Sequence, residues 1–198
     1  MNDGLTLITA PASEPLDLDT AKLFLRVGHD DEDELVESLI TRARERVEEL
    51  SGLALLTQTW EEAFEAFPCA TSENPWGGFI LRKPPLQSVT SITYIDTNGA
   101  SQVLAGTEYT VNTRAFPGQI VPAYGKSWPG TRDVPNAVVV KFVAGEASVL
   151  NLHGDLLDAM KLLLGDRYLH REETITGMVA ERLQVVRSLL ANHRAYVV

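Results

Sequence analysis

The chain has 198 residues, with 17 lysines and arginines against 27 aspartates and glutamates, and a formal net charge of -10. This length suits one domain with a sizeable core, and an acidic balance without a polybasic run excludes tight binding of nucleic acid through phosphate neutralisation. The single cysteine, Cys69, excludes an internal disulfide framework and indicates a reducing compartment.

The sequence gives no sign of a membrane segment. No apolar run approaches the roughly 18 residues that a membrane helix needs. The N-terminal stretch MNDGLTLITAPASEPLDL lacks the basic start of a secretion signal. We therefore expect no membrane partner.

Two helices are predicted after a loose leader that contains proline and serine. Asp17 is placed to cap the first helix, which should stop near Gly28. The second helix begins at DDEDE, where Asp31 and Glu34 have the spacing of a capping box, and Gly52 is placed to end it. The apolar residues expected on its buried face recur every three or four positions: Leu35, Val36, Leu39, Ile40, Ala43, Val47 and Leu50.

A β-rich block follows, because β-branched and aromatic residues dominate from Thr57 to Phe142 while Gly and Pro recur about every ten residues. Within it, SVTSITYID predicts a strand that ends in a turn at Asn98-Gly99. The preceding Pro84-Pro85 suits the start of a strand or a protected edge, since proline cannot donate to a ladder.

Helical spacing returns in LNLHGDLLDAMKLLLGDRYLHREE and again in MVAERLQVVRSLLANHRAYVV. We therefore predict one α+β domain over residues 1–198, in which a β-rich subdomain, about 57–145, is inserted into a small helical bundle, about 16–53 and 151–192. Residues 193–198 are predicted to form a C-terminal tail.

No group of residues assembles a catalytic or metal site in the sequence. The acidic cluster from Asp30 to Glu34 lacks the alternating ligands and central glycine of a calcium loop, and the helix dipole explains it better. No His-x-x-x-His or His-Glu-x-x-His pair, no phosphate-binding glycine loop and no Gly-x-Ser-x-Gly motif occurs. We expect no catalytic residue, no metal and no cofactor.

An enzyme with a site built from scattered residues is the alternative of a different class. Its best candidates are Tyr168, His170, Arg171 and Glu172. Turnover or tight uptake of a metal would favour it.

Three aromatic residues, Trp76, Phe79 and Trp128, lie in loops rich in Gly and Pro. Two interpretations remain open for them. They are either exposed anchors for a protein partner or lids that cover the β-core.

Three ordered stretches of the chain resemble one protein family. They are LDLDTAKLFLRVGHDDEDELVESLITRARERVEELSGLALLTQTWEEAFEAFP, ILRKPPLQSVTSITYIDTNGASQVLAGTEYTVNT and PGQIVPAYGKSWPGTRDVPNAVVVKFVAG. They are similar to the paired N-terminal helices, the Pro-Pro-Leu segment and the Asn-Ala-Val strand of the head-tail connector proteins, that is, the gp6-like and gp8-like adaptors of tailed phages and gene transfer agents. The resemblance covers roughly residues 16 to 173.

The resemblance implies a structural protein of the virion neck that is made in the bacterial cytoplasm. It implies a homo-oligomeric ring, a dodecamer, that attaches beneath the portal protein, extends the DNA channel without specific DNA binding, and offers a platform to the next neck component, the stopper. In related adaptors a C-terminal segment docks onto the portal. That role is carried over to the tail residues His193, Arg194, Ala195, Tyr196, Val197 and Val198.

Another ring of the neck, a stopper or a tail terminator, is the alternative within the same class. Such proteins typically lack two leading helices before the β-block, so the predicted helices from Leu18 to Leu50 favour an adaptor. Whether the parent particle is an infectious phage or a gene transfer agent stays open.

Overall fold

The computed structural model describes residues 4–72, 74–170 and 178–195, with side chains from residue 184 onward in the last helix. Over these residues the fold is α+β, which confirms the predicted class. The helices and strands are β1 (Leu5–Thr9), α1 (Leu18–Leu25), α2 (Asp33–Ser51), β2 (Gln58–Phe64), β3 (Phe79–Ile80), β4 (Leu86–Ile95), β5 (Ser101–Val103), β6 (Tyr109–Asn112), β7 (Gln119–Pro122), β8 (Val138–Ala144), α3 (Gly154–Leu169) and α4 (Met178–Leu190).

The chain divides into two compact units. The helical unit comprises residues 12–56 and 147–194, and the β unit comprises residues 1–11, 57–146 and 195–198. Most of the β unit therefore lies, in chain order, between the two halves of the helical unit.

The helical unit is organised around α3, which packs against α1, α2 and α4. The apolar stripe predicted for α2 is buried at Val36, Leu39, Ile40, Ala43 and Val47. Each large side chain of this kind contributes roughly 1.5–3 kcal/mol when it is fully buried. Burial of this apolar face therefore stabilises α2, although the opposite face of the helix is highly charged.

The predicted start of α1 and the predicted end of α2 are both confirmed. Asp17 caps α1, because its Oδ1 accepts a hydrogen bond from the backbone N–H of Thr20 at 2.7 Å. That bond, together with one from the Thr20 hydroxyl, lowers the pKa of the Asp17 carboxyl. Gly52 ends α2 in the left-handed region at φ 76°, where a residue without Cβ is favoured.

The predicted capping box at the start of α2 is wrong. The helix begins at Asp33, and Glu32 precedes it without a side-chain capping bond. The reason is that α2 begins two residues after Asp31, so Asp31 lies before the N-cap position, and its Oδ2 lies 3.8 Å from Nδ1 of His29. The neighbouring carboxylates of Asp30 and Asp33 bind Lys22 of α1, whose Nζ lies 2.6 Å from Oδ1 of each.

The β unit contains a five-stranded antiparallel sheet in the order β1-β2-β8-β4-β5. Central strand β8 alternates strictly, and Val138, Val140, Phe142 and Ala144 are buried. Phe142 is fully buried and pairs with Trp60 of β2 on one side and Val89 of β4 on the other. The core of the unit lies on this face of the sheet.

The N-terminal stretch differs from the predicted loose leader. Leu5–Thr9 forms edge strand β1, which pairs antiparallel with β2 through Leu5–Glu62 and Leu7–Trp60. The local pattern gave little signal because most of the strand is exposed. Its partner strand lies about fifty residues further along the chain.

The predicted turn at Asn98-Gly99 is confirmed between β4 and β5. Asp96 Oδ1 accepts hydrogen bonds from the backbone N–H groups of Asn98 and Ala100, each at 2.9 Å. The bond from Ala100 is the largest cause of a lowered pKa at Asp96, followed by the bond from the Gln102 side chain. Gly99 has φ 89°, as a turn of this kind requires.

A smaller sheet, in the order β3-β7-β6, completes the β unit. Gly118, just before β7, faces Leu86 at the start of β4, and a Cβ on Gly118 would lie 2.3 Å from Leu86 Cβ. The two sheets are therefore in direct contact at a position where only glycine fits.

Candidate interaction surfaces

The first candidate surface is a groove of about 450 Å³ on the β unit, here called the tryptophan groove. Trp76, Trp128, Phe67 and three prolines (Pro68, Pro122 and Pro129) are among the residues that line it. Trp76 is 72% exposed, so most of a large apolar side chain faces solvent beside the groove. Exposed tryptophans beside concave apolar surfaces are typical anchors for protein partners.

The loop that carries Trp76 has a defined conformation. The side-chain amide of Asn74 donates to the carbonyl of Gly78 at 2.6 Å and accepts from its N–H at 3.3 Å. A Cβ on Gly78 would lie 2.6 Å from the carbonyl oxygen of Ile120, so only glycine lets the loop approach β7 this closely. Trp76 therefore lies in a loop whose backbone is held by hydrogen bonds and packed against β7.

Trp128 also lines the groove. Its Nε1 donates to the carbonyl oxygen of Gly77 at 2.6 Å, and its ring stacks on Phe67 at 5.0 Å between centroids. Trp128 is half-buried, so it both covers the β-core and contributes to the groove surface.

Phe79 is not an exposed anchor, which corrects one of the two interpretations left open for it. It is only 2% exposed, and its ring lies 4.7 Å from the ring of Phe64 and 5.5 Å from that of Trp128. The reason is its position in β3, which pairs with β7 and turns the side chain into the core. Phe79 thus supports the groove from beneath.

The second candidate surface is the C-terminal segment. His193 ends a short 3-10 turn that follows α4. Its Nε2 lies 3.1 Å from Oδ2 of Asp155, and its ring centroid lies 4.6 Å from that of His153. His193 is therefore fastened to the start of α3.

Arg194 and Ala195 follow this attachment and are the last described residues. Tyr196, Val197 and Val198 lie outside the described residues. The portal contact predicted for the six residues from His193 to Val198 stays a prediction.

The third candidate surface is an apolar groove of about 390 Å³ between α1, α3 and α4. Phe24, Leu162, Leu169 and Val185 line it and are all partly or largely exposed. The sequence analysis did not identify this groove. A signal was present, since Leu23-Phe24 and Leu169 are apolar residues outside the buried stripes of their helices.

The residues of the alternative enzyme hypothesis make structural contacts where they are described. The hydroxyl of Tyr168 donates to Glu32 Oε2 at 2.5 Å, and His170 Nδ1 lies 3.1 Å from the carbonyl oxygen of Asp166. Arg171 and Glu172 lie outside the described residues.

The acidic cluster from Asp30 to Glu34 already holds a cation of the chain itself. The hydrogen bonds that Lys22 donates to Asp30 and Asp33 raise the pKa of Lys22, and the bond to Asp30 lowers the pKa of that carboxyl. Elsewhere in the described ranges, no three His, Cys, Asp or Glu side chains converge as a metal site would require. None of the described helices is both long and apolar enough to span a membrane.

Comparison with known proteins gives a family match for part of the chain. Residues 15–98 match the family described as "Phage gp6-like head-tail connector protein". This match confirms the resemblance predicted from the sequence, and it covers α1, α2, β2, β3 and β4 and ends in the Asn98 turn. No curated protein sequence matches the chain.

Solved structures extend the likeness to nearly the whole fold. A chain in the structure described as "Neck of empty GTA particle computed with C6 symmetry" is similar at 22% identity and a TM-score of 0.75, over 98% of this chain and 96% of that chain. Chains in "Virion of native gene transfer agent (GTA) particle" and "Neck of native GTA particle computed with C12 symmetry" are similar at the same identity and coverage, with TM-scores of 0.73 and 0.71. This protein therefore has the fold of a chain found in those particles.

Proposed function

We propose that this protein, whose residues 15–98 match the gp6-like head-tail connector family, is the adaptor in the neck of a phage-like particle. It joins the filled head to the tail as a ring beneath the portal and extends the DNA channel. The single observation that carries the proposal is the agreement between a connector match in sequence and a full-length fold match to chains of gene transfer agent particles.

The ring is proposed to contain twelve copies, one for each portal subunit. One of the similar chains belongs to a neck described with C12 symmetry, which supports this number. The order of elements also supports an adaptor over a stopper or tail terminator, because α1 and α2 precede the β-block.

The portal is the proposed partner of the C-terminal tail. The attachment of His193 to Asp155 gives this tail a fixed starting point on the helical unit. In the sequence, the apolar residues Tyr196, Val197 and Val198 follow directly after Ala195. Short apolar termini are suited to docking into pockets of a partner.

A deletion of residues 196–198 tests this role and leaves the His193 contacts in place. We expect the deletion variant to keep its far-UV circular dichroism spectrum and to lose co-elution with the portal protein of its own particle. Replacing the same three residues by Gly-Ser-Gly controls for chain length and should give the same loss. Undiminished co-elution of both variants would contradict the assignment.

The next neck component is the proposed partner of the tryptophan groove. Trp76→Ala removes the exposed anchor without touching the β-core, so we expect attachment of this component to the portal-bound adaptor to weaken about 30-fold or more. Phe116→Ala is the matched control, since Phe116 is 59% exposed on the same unit but does not line the groove. Equal affinities for the two variants in a pull-down titration would argue against the groove as the docking surface.

DNA is proposed to pass through the ring without being bound. The sequence of the helical unit carries 18 acidic against 11 basic residues, so this unit holds most of the negative charge of the chain. A channel surface with a net negative charge offers few cations that would retain the phosphates of DNA as it passes. Virion localisation after assembly in the bacterial cytoplasm follows from the same role, and no catalytic activity is proposed.

A further inference from the structure

The exposed surface of α2 carries opposite charges on its two flanks. At about 100° per residue in an α-helix, Glu34 and Glu37 lie about 80° and 140° around the helix axis from Arg42, both in the same direction. All three side chains are exposed. The helix therefore has an acidic flank, defined by Glu34 and Glu37, and a basic flank that begins at Arg42.

The basic flank continues onto α3 as a cleft. Arg42 and Arg167 line a depression of about 320 Å³ together with Leu35, Leu39 and His170. Within the described part of the chain, neither arginine forms an ion pair or a hydrogen bond. The cleft, here called the arginine cleft, thus presents two guanidinium groups beside an apolar base.

The other arginines of α2 provide a contrast. Arg44 pairs with Glu14 and Glu48, and Arg46 pairs with Glu49. Arg42 is the arginine of this helix whose hydrogen-bonding fork stays available to a carboxylate from outside.

The acidic flank is available in the same way. Lys22 neutralises Asp30 and Asp33 at the start of α2, but Glu34 and Glu37 have no ion-pair partner among the described residues. Both carboxylates point away from the buried face of the helix. Among the described residues, a protein with a net charge of -10 thus keeps two unpaired arginines, Arg42 and Arg167, and two unpaired glutamates on adjoining faces of one helical unit.

We propose that the arginine cleft of one copy binds the acidic flank of the next copy, so that Glu34 and Glu37 contact Arg42 and Arg167 across the interface. This inference rests on the proposed function, because it names the surfaces that close the ring. A cyclic ring needs two different faces on each subunit, and unlike charges on those faces meet this requirement. Like charges repel each other, so the same arrangement disfavours contacts that bring the same flank of two copies together.

Cross-linking of single-cysteine variants tests the proposed pairing directly. The exposed native thiol is first removed by Cys69→Ser. Arg42→Cys and Glu34→Cys are then made in separate chains and treated with a short bis-maleimide, either alone or as an equal mixture. Each sample is examined bound to the portal of its own particle and, separately, as concentrated free protein.

We expect covalent dimers in the mixture and none with either variant alone, because a head-to-tail contact joins different faces. Asp158→Cys replaces Glu34→Cys in the matched control. Asp158 is exposed on α3 but lies about 180° around that helix from Arg167, so a mixture with Arg42→Cys should give no dimer. Dimers with Arg42→Cys alone, or cross-links from Arg42→Cys to the portal, would overturn the proposal.

Charge reversal gives a second, independent readout. Arg42→Glu with Arg167→Glu, or Glu34→Lys with Glu37→Lys, should each weaken association between copies by about tenfold, which corresponds to about 1.4 kcal/mol. An equal mixture of the two double variants should associate again, because each contact then joins unlike charges. If the two double variants associate with each other as weakly as each associates with itself, the pairing is contradicted.

The outcomes separate this inference from the proposed function. Attachment to the portal without the Arg42–Glu34 cross-link leaves the adaptor role standing and overturns the interface. The cross-link in concentrated free protein without portal attachment supports the interface and overturns the adaptor role. Absence of both overturns both.

Discussion

At the scale of single residues, one buried cation connects the segment before α1 to α2 and to the segment after it. Arg44 is only 3% exposed, and its guanidinium donates to Glu14 at 2.8 Å and to Glu48 at 2.9 Å. Burial lowers the pKa of Arg44, but the hydrogen bond that it donates to Glu14 and the charges of Glu48, Glu14 and Glu45 outweigh that effect and raise the pKa above its ordinary value. Glu48 also accepts from the backbone N–H of Leu55 at 2.9 Å. The charge of Arg44 is therefore neutralised by carboxylates of the chain itself.

We expect Arg44→Ala to destabilise the protein by about 3–5 kcal/mol, because it leaves the carboxylate of Glu48 buried without its cation. Urea unfolding monitored by circular dichroism measures the change. Arg46→Ala is the matched control on the same helix, since the Arg46–Glu49 pair is more exposed and should cost about 0–1 kcal/mol. Similar losses in the two variants would contradict this account.

The structural roles of single residues were predicted correctly where they depend only on neighbouring residues in the sequence. Asp17 and Gly52 were identified from sequence because a cap depends on the few residues next to it. The capping box at Asp31 failed because α2 begins at Asp33, so that Glu32 and not Asp31 occupies the N-cap position. Phe79 was placed in a loop because a strand of two residues leaves almost no sequence pattern.

At the scale of elements, the contact between Gly118 and Leu86 fixes the small sheet against the start of β4. Leu86 is buried, and its side chain fills the space where a Cβ on residue 118 would lie. Gly118 is itself held in the small sheet, because Leu81 N–H, just after β3, donates to its carbonyl at 3.0 Å. The stretch around Pro84-Pro85 therefore serves as a packed junction between two sheets.

We expect Gly118→Ala to destabilise the protein by about 1–3 kcal/mol, because the added methyl group overpacks this junction. Gly106→Ala is the matched control, since a Cβ there would meet no atom within 4 Å. Thermal unfolding should show a clearly lower Tm for Gly118→Ala than for the control. Equal Tm values would mean that the junction relaxes without cost.

Element-level expectations depended on periodicity and on the exposure of each element. The strict alternation of β8 and the three-four spacing of α2 come from faces that are buried on one side only, and both were predicted. Strand β1 was missed because its side chains are mostly exposed and its pairing partner is distant in sequence. The apolar groove lined by Phe24 and Leu169 was missed because no tertiary neighbour can be inferred from one helix at a time.

At the scale of the whole molecule, the α+β class followed from the order of helical and strand-like periods. The function did not follow from chemistry, since no catalytic or metal-binding pattern is present in the sequence; it followed from three ordered stretches that resemble connector proteins. The surfaces proposed to mediate assembly were only partly predictable. Trp76 was identified by its Gly/Pro-rich loop, whereas the arginine cleft depends on Arg42 and Arg167, which α2 and α3 bring together from distant parts of the chain.

The adaptor role is tested most directly by the molar mass of the purified protein, measured by light scattering alone and after mixing with the portal protein of its own particle. The account predicts a free monomer near 21.7 kDa that co-elutes with the portal at one copy for each portal subunit. A chain that stays at its monomer mass and elutes apart from the portal at every salt concentration would contradict the account.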